Sequence, residues 1–169
     1  NNGVAVHDLT ANGFEQPERL LVDPSGRITT VTGFLTDFTA ARLLDDGSRD
    51  STFAAGGVIT VNFLATHSEA RLNDLAIDHD NKPIAIGTSL QSAGAPETAA
   101  VLSRYLASGT LDTALSFDGR AEIDLQFSQQ ASSILPVSDG TLLAYGEHSG
   151  FTSRTFLAQM WPDGSPNSN

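Results

Sequence analysis

The chain has 169 residues, a net charge of −11 and no cysteine, and these properties exclude several classes of protein. Nine lysines and arginines stand against twenty acidic residues, so the clustered basic groups that hold nucleic acid or an anionic membrane surface are missing. Without cysteine the chain forms no disulfide, no Cys-ligated zinc site and no thiol nucleophile.

The apolar residues occur in short blocks between turn-forming residues, which favours many short β-strands. In chain order, the first 56 residues contain four such blocks, near 4–9, 19–23, 27–34 and 39–44. The first block opens on glycine and returns at 57–63 and 119–125. In the third copy, apolar residues alternate with Glu122, Asp124 and Gln126, the period of two that indicates a strand with one buried face.

The second and third blocks flank a turn. In each unit the apolar run that follows this turn ends at a glycine, which is Gly33, Gly87 or Gly146. Beyond the fourth block, segment 41–50 returns as 103–112 and 158–167, with a glycine at the same place each time. Glycine and asparagine tolerate positive φ, so recurrence at these places indicates tight turns. The predicted structural turn positions are Gly26, Asn81 and Gly140 in the hairpin, and Gly47, Gly109 and Gly164 after the fourth block.

The spacings of Gly47, Gly109 and Gly164 define a repeating unit of about 55 residues, since repeats of this length are single supersecondary units. We place the units at approximately 3–56, 57–118 and 119–169, within one domain spanning 1–169. A repeated four-stranded antiparallel unit is typical of a propeller blade. The sequence therefore predicts an all-β fold of three four-stranded antiparallel blades that form part of a β-propeller.

Two segments carry a family resemblance. Residues 45–53 followed by Gly56-Gly57, and residues 23–28 in the hairpin, resemble the bacterial delta-60 repeat. That family is a β-propeller of unassigned function found in large exported proteins. The resemblance covers nearly the whole chain and implies an extracellular, periplasmic or cell-surface location. The copies depart from the pattern where Ser108 replaces Asp and Gln159 replaces Arg.

Two polar positions recur in every unit. The fifth residue after the opening glycine is Asp8, Asn62 or Asp124, and a ring of such groups could hold a cation. The residue closing the other recurrent segment is Asp50, Asp112 or Asn167. Chemistry usually breaks the symmetry of a repeat, so we interpret both positions as side chains that bond to nearby backbone amides.

Residues 45–50 and 78–81 resemble calcium loops but do not continue into an EF-hand pattern, so we interpret them as turns. None of the four histidines (His7, His67, His79 and His148) lies at zinc-site spacing. His7 occupies the place of an apolar residue in the other copies. His67 with Glu69, and Glu147 with His148, are expected in loops between strands.

Three aromatic residues, Trp161, Tyr105 and Tyr145, have the chemistry to stack on sugar rings, but their repeat positions favour packing in the core or on a sheet face. The chain contains no nucleophile-elbow or phosphate-loop motif. Loops on a rigid scaffold usually carry specificity. We therefore expect recognition at the insert 88–97 and at 34–38 and 147–154.

The leading hypothesis is a non-enzymatic binding or scaffold module of an exported bacterial protein, with no cofactor and no metal. One alternative is a propeller hydrolase or lyase whose acidic channel uses carboxylates such as Asp8 and Asp124. The other is a pure assembly protein. Cleavage of a broad substrate panel would favour the enzyme.

Three blades are fewer than the four to eight that usually close a propeller. Two explanations stay open: the chain is part of a longer propeller, or it is a half that pairs head to tail with a second copy. Either way, strand 4–9 is expected to pair with the strand near 156–161 of another chain, or with a segment outside this one.

Overall fold

The structure, a computed structural model, describes residues 3–9, 17–34, 37–62, 67–91, 98–123, 128–149 and 152–167. Within these ranges the protein is all-β and contains no helix. Eleven strands form three separate antiparallel sheets that follow one another along the chain.

Each sheet is built from consecutive strands. The first has the order β1 (Pro17–Val22), β2 (Ile28–Phe34), β3 (Asp37–Leu43), β4 (Val58–Asn62). The second has the order β5 (His67–Ile77), β6 (Pro83–Gln91), β7 (Thr98–Arg104), β8 (Arg120–Ile123). The third contains β9 (Ser128–Pro136), β10 (Leu142–Ser149) and β11 (Ser153–Met160), with β10 in the middle.

The prediction of four strands in every sheet was wrong for the third sheet, which has three in the described part of the chain. The prediction of a strand at 4–9 was also wrong, because these residues form no ladder. They lie instead against the turn at Gly47, whose carbonyl accepts a hydrogen bond from His7 Nε2 at 2.8 Å. The Arg49 guanidinium also donates to the carbonyl of Asp8.

The glycine-opening strands of the second and third repeats, β4 and β8, each belong to the sheet that precedes them. Strand β4 pairs with β3, with Val58 opposite Ala41, and β8 pairs with β7 in the same way. The connection before β4 folds the chain back at once, because Gly57 donates to the Phe53 carbonyl and accepts from Arg42 N. The first two sheets therefore span 17–62 and 67–123, one strand out of phase with the units read from the sequence.

The hairpin pairs fix which residues of the three sheets are equivalent. The pairs that close the hairpins are Val22 with Ile28, Ile77 with Pro83, and Pro136 with Leu142. Counted from these pairs, Gly87 and Gly146 are equivalent to Thr32, so the sequence match of Gly33 to them was wrong by one residue. A side chain at Gly87 would collide with the Phe38 ring and the Arg71 carbonyl, which explains the glycine in the second sheet.

The six predicted turn positions all lie in turns with left-handed backbone. Their φ values are 78° for Gly26, 59° for Asn81, 88° for Gly140, 81° for Gly47, 84° for Gly109 and 83° for Gly164. In five of the six turns an aspartate accepts backbone hydrogen bonds, as Asp23 does from Ser25 and Arg27. The turn at Gly109 has Ser108 in that place. Asn81 is the one non-glycine at these six places, and asparagine is among the residues that best tolerate this region.

The three sheets pack face to face and bury two cores. We call the face that a sheet turns toward the next sheet its front face, and the opposite one its back face. The first core joins the front face of the first sheet (Val31, Phe38, Ala40, Val61) to the back face of the second (Ala70, Leu72, Ala85, Val101). The second core joins the front face of the second sheet (Ile84, Ile86, Ala100, Leu102) to the back face of the third (Ile134, Leu142, Ala144, Phe156).

Several strands extend further than expected, so some loop predictions were wrong. His67 and Glu69 lie in β5, and Glu147 and His148 lie in β10. Of the expected recognition loops, 34, 37–38, 88–91, 147–149 and 153–154 lie in strands. The rest of segments 34–38 and 88–97 lies outside the described residues, as do 150 and 151.

Candidate functional site

A buried arginine–aspartate pair joins the first sheet to the second. Arg42 on β3 donates from Nε to Asp50 Oδ2 at 2.7 Å, and both side chains are buried. Its Nη1 donates to the Ala107 carbonyl, in the turn after β7 of the second sheet, at 2.6 Å. The guanidinium also lies over the Phe53 ring, 4.7 Å from the centroid. We call this arrangement the latch.

The hydrogen bonds from Thr52 are the main reason that the pKa of Asp50 lies below its usual value, and Arg42 lowers it further. Asp50 Oδ1 accepts from the Thr52 amide and hydroxyl at 2.9 and 2.6 Å. The charged carboxylate is therefore the form that fits this site.

The latch recurs between the second and third sheets. Arg104 Nε donates to Asp112 Oδ2 at 2.8 Å, and its Nη1 reaches the Pro162 carbonyl at 2.6 Å. Lys82 Nζ adds a second cation 2.9 Å from the same carboxylate oxygen. Burial disfavours the charge on Asp112, but the hydrogen bonds from Lys82 and Ala114 and the charge of Arg104 outweigh it, so the pKa is lowered.

The third copy of the latch is neutral. Gln159 and Asn167 occupy the places of the arginine and the aspartate, and Asn167 N still donates to the Gln159 carbonyl at 2.9 Å. The backbone bond thus persists where the ion pair is lost. Charge is conserved in the two copies that bind a following sheet and absent from the third.

A second polar cluster breaks the symmetry of the repeat. The carboxylate of Asp74 on β5 contacts both neighbouring sheets: Arg19 Nε lies 2.9 Å from Oδ1, and Ser133 Oγ donates to Oδ2. The amides of Leu75 and Ile134 donate to it at 2.9 and 3.1 Å. Four donors from the three sheets therefore hold this buried carboxylate in place.

The members of this cluster are equivalent by register. Arg19 lies opposite Val31, Asp74 opposite Ile86, and Ser133 opposite Tyr145, and these three partners are themselves equivalent. The first strands β1, β5 and β9 thus bring one position of each sheet together along a common edge. We call this edge, marked by Arg19, Asp74 and Ser133, the inner edge.

An open cavity of about 280 Å³ adjoins the inner edge between the second and third sheets. Polar residue types predominate among those that line it, although the surface they expose to the cavity is more apolar than polar: Glu69, Arg71, Asn73, Thr88, Ser89, Leu90, Thr98 and Gln130. Thr88 fixes the wall, because its Oγ1 donates to Asn73 Oδ1 at 3.2 Å and accepts from Ala131 N at 3.1 Å. Carboxylate, guanidinium, amide and hydroxyl groups thus converge beside one leucine side chain.

The carboxylates suggested for a ring do not come together in the described part of the chain. Asp8 lies in the segment on the Gly47 turn, Asn62 ends β4 and is exposed, and Asp124 lies outside the described residues. Asp50 and Asp112 each accept a bond from a backbone amide two residues on, at 2.9 and 3.1 Å. Asn167, the third member of that set, bonds through its own backbone.

The two calcium-like segments are turns whose carboxylates bond to the chain itself. Asp46 Oδ1 accepts from the amide and hydroxyl of Ser48, and Asp78 Oδ1 accepts from the amides of Asp80 and Lys82. Across the described residues, no group of three or more His, Cys, Asp or Glu side chains is placed to hold a metal ion.

The three aromatic residues have different environments. Tyr105 is completely buried, accepts a hydrogen bond from Ser103 Oγ at 2.9 Å, and burial raises its pKa to about 12. Tyr145 and Trp161 are about half exposed. Tyr145 lies on the front face of the third sheet.

Sequence reasoning missed the latch arginines and Asp74. The latch had a signal, because an arginine and an aspartate eight residues apart recur in two units and are both replaced in the third. The sequence signal for Asp74 was weak, since it was only a charged residue within an apolar run. Its partners in the other two sheets lie 55 to 60 positions away, and the equivalent residues of the three copies differ.

Comparison with protein-family models finds no match for this chain, and neither does comparison with the curated proteins. Among the described residues, no helix is long and apolar enough to cross a membrane.

Proposed function

We propose that this chain is a non-enzymatic binding module of an exported bacterial protein, and that its three sheets are consecutive blades of a β-propeller. The resemblance to the delta-60 repeat supports the blade interpretation. The face-to-face stacking, the repeated latch and the convergence of β1, β5 and β9 on one edge also support it.

The observation that carries the binding role is the cavity at the inner edge, which is lined by polar side chains and one leucine. Its lining includes Thr88, which begins the insert 88–97 expected to carry recognition, and Thr98, which follows that insert. One carboxylate, one guanidinium, amides, hydroxyls and a leucine side chain suit a neutral ligand with many hydroxyl groups, such as one or two sugar units. The neighbouring carboxylate of Asp74 is held by four donors, so it contributes rigidity to the wall.

The test is a binding screen of the purified chain against soluble oligosaccharides, followed by ¹⁵N chemical-shift mapping. We expect shifts at cavity residues such as Asn73 and Thr98. A Gln130→Trp variant should abolish binding by filling the mouth, while Ala55→Trp, in an exposed turn away from the cavity, should leave it unchanged. Release of reducing ends would contradict the non-enzymatic role, and binding that survives Gln130→Trp would contradict this cavity.

A further inference from the structure

The front face of the third sheet carries three large apolar residues that are exposed. Leu135, Tyr145 and Leu157 lie side by side on it, with Tyr145 paired to Leu157 across β10 and β11. Their side chains are 61%, 49% and 69% exposed. Large apolar residues that cluster on one face of a sheet mark an interaction surface.

The register shows what covers this face elsewhere in the chain. The equivalent residues of the second sheet are Ala76, Ile86 and Leu102, which pack against the third sheet in the second core. Ile86 and Leu102 are completely buried. The front face of the third sheet therefore has the pattern of a face that receives the back face of a following sheet.

The back face of the first sheet is the complementary surface. Leu20, which is 60% exposed, is equivalent to Leu75 and Ile134, which are 4% and 3% exposed under a preceding sheet. Val22 beside it is exposed to the same degree. One end of the stack thus has an exposed front face. At the other end the back face is exposed along β1, at Leu20 and Val22, whereas Thr39 and Ala41 on the same face are buried.

The backbone shows the same complementarity. Among the described residues β11 is an edge strand, whereas its equivalents β3 and β7 are paired with β4 and β8. Residues 4–9 match β4 and β8 in sequence, and Val4 and Val6 are exposed. If they paired with β11 as β4 pairs with β3, Val4 would lie opposite Ala158.

We propose that the chain binds a second copy of itself head to tail. The front face of the third sheet in one copy receives the back face of the first sheet in the other, whose residues 4–9 add to β11 as a fourth strand. One partner can supply both the back face and the added strand. Its residues 4–9 come before β1 in the chain, just as β4, which completes the first sheet, comes before β5 of the second. When each copy binds the other in this way, the two chains form a closed dimer with twofold symmetry. The dimer contains six sheets, and six blades are enough to close a propeller.

The interaction requires residues 3–9 to leave the Gly47 turn of their own chain, where the His7 and Arg49 hydrogen bonds hold them. Each copy also carries a charge of −11, so repulsion opposes association at low salt. This interface is separate from the inner-edge cavity, and it can fail while the proposed binding function holds.

Sedimentation velocity on the full chain, over a broad concentration range and at two salt concentrations, tests the proposal. We expect a species of twice 17.8 kDa that is favoured by salt. Leu157→Lys on the front face and Leu20→Lys on the back face should each give monomers, while Phe117→Lys, at an exposed apolar residue on neither face, should still pair. Circular dichroism checks that all variants fold.

Mixing the two monomeric variants distinguishes a front-to-back contact from a symmetric front-to-front contact. Leu20→Lys retains a native front face and Leu157→Lys a native back face, so together they should form mixed dimers through one intact interface. A symmetric front-to-front contact would leave Leu20→Lys dimeric, and that result would overturn the proposal. A wild-type monomer at all concentrations, or an open series of larger species, would overturn it as well.

The strand addition has its own readout, because the chain has no cysteine. A Val4→Cys, Ala158→Cys double variant should form disulfide-linked dimers on mild oxidation. A Val4→Cys, Ser153→Cys variant, with the second cysteine at the far end of β11, should not. Equal cross-linking in both variants would contradict the predicted register.

Discussion

Replacement of Arg42 by glutamine tests how much the latch stabilises the junction of the first two sheets. The change introduces the residue that the third copy has naturally and leaves Asp50 buried without its cation. Removing one partner of a buried ion pair costs about 3–5 kcal/mol. The double variant R42Q/D50N reproduces the neutral third copy, so its loss should fall to about 1 kcal/mol, the net value of the hydrogen bond to the Ala107 carbonyl.

Urea unfolding followed by circular dichroism gives the free energy of unfolding of each variant. Arg104→Gln serves as the comparison, because Lys82 still lies 2.9 Å from Asp112 and should keep its loss smaller than that of Arg42→Gln. Equal stability of R42Q and R42Q/D50N would refute the reasoning, since the single variant alone leaves an unpaired buried charge. A greater loss from Arg104→Gln would refute the role given to Lys82.

Two further predictions follow from the same structure. The pKa values of Asp50 and Asp112 are lowered, so the stability that they contribute is complete above the unfolded pKa of about 3.9 and is lost as the pH falls through the folded values. Urea midpoints should therefore drop on acidification, and less for R42Q/D50N than for the natural chain; an equal drop would show that other groups dominate. The Gly87→Ala variant should unfold at a much lower urea concentration than Gly26→Ala, because its Cβ would lie 2.2 Å from a backbone carbonyl and 2.4 Å from Phe38. At Gly26 a Cβ would meet open space, so the only cost of alanine there is its left-handed backbone conformation, about 1–2 kcal/mol. Similar midpoints for the two alanine variants would contradict the packing at Gly87.

Local patterns in the sequence predict the β-strands, the turns and the stacking unit, since these depend on residues close together in the chain. Hairpin turns need a positive φ, and Gly26, Asn81 and Gly140 supply it within five residues of both strands. The sequence does not predict which sheet the glycine-opening strand joins, because a repeat can be divided at any point. Only the tight connection at Gly57 assigns that strand to the preceding sheet.

The candidate site was less predictable than the fold. The cavity walls come from three strands of the second sheet and one of the third, so their convergence depends on sheet packing. Comparing the repeats identifies residues that are alike in every copy. Arg19, Asp74 and Ser133 occupy equivalent register positions but differ in residue type, so this comparison does not find them. Strands also extended into the expected loops at 88–91 and 147–149, because their ladder partners continue opposite them.

The contacts of Asp74 have a consequence for folding. Arrays of stacked repeats generally unfold in parts, because each unit touches only its neighbours. Here one buried carboxylate takes donors from all three sheets, so separation of either outer sheet leaves it with fewer hydrogen-bond partners. States in which one sheet has come away are thereby raised in energy relative to both the native and the unfolded chain. The chain is thus biased toward a single cooperative unfolding transition, rather than one that proceeds sheet by sheet.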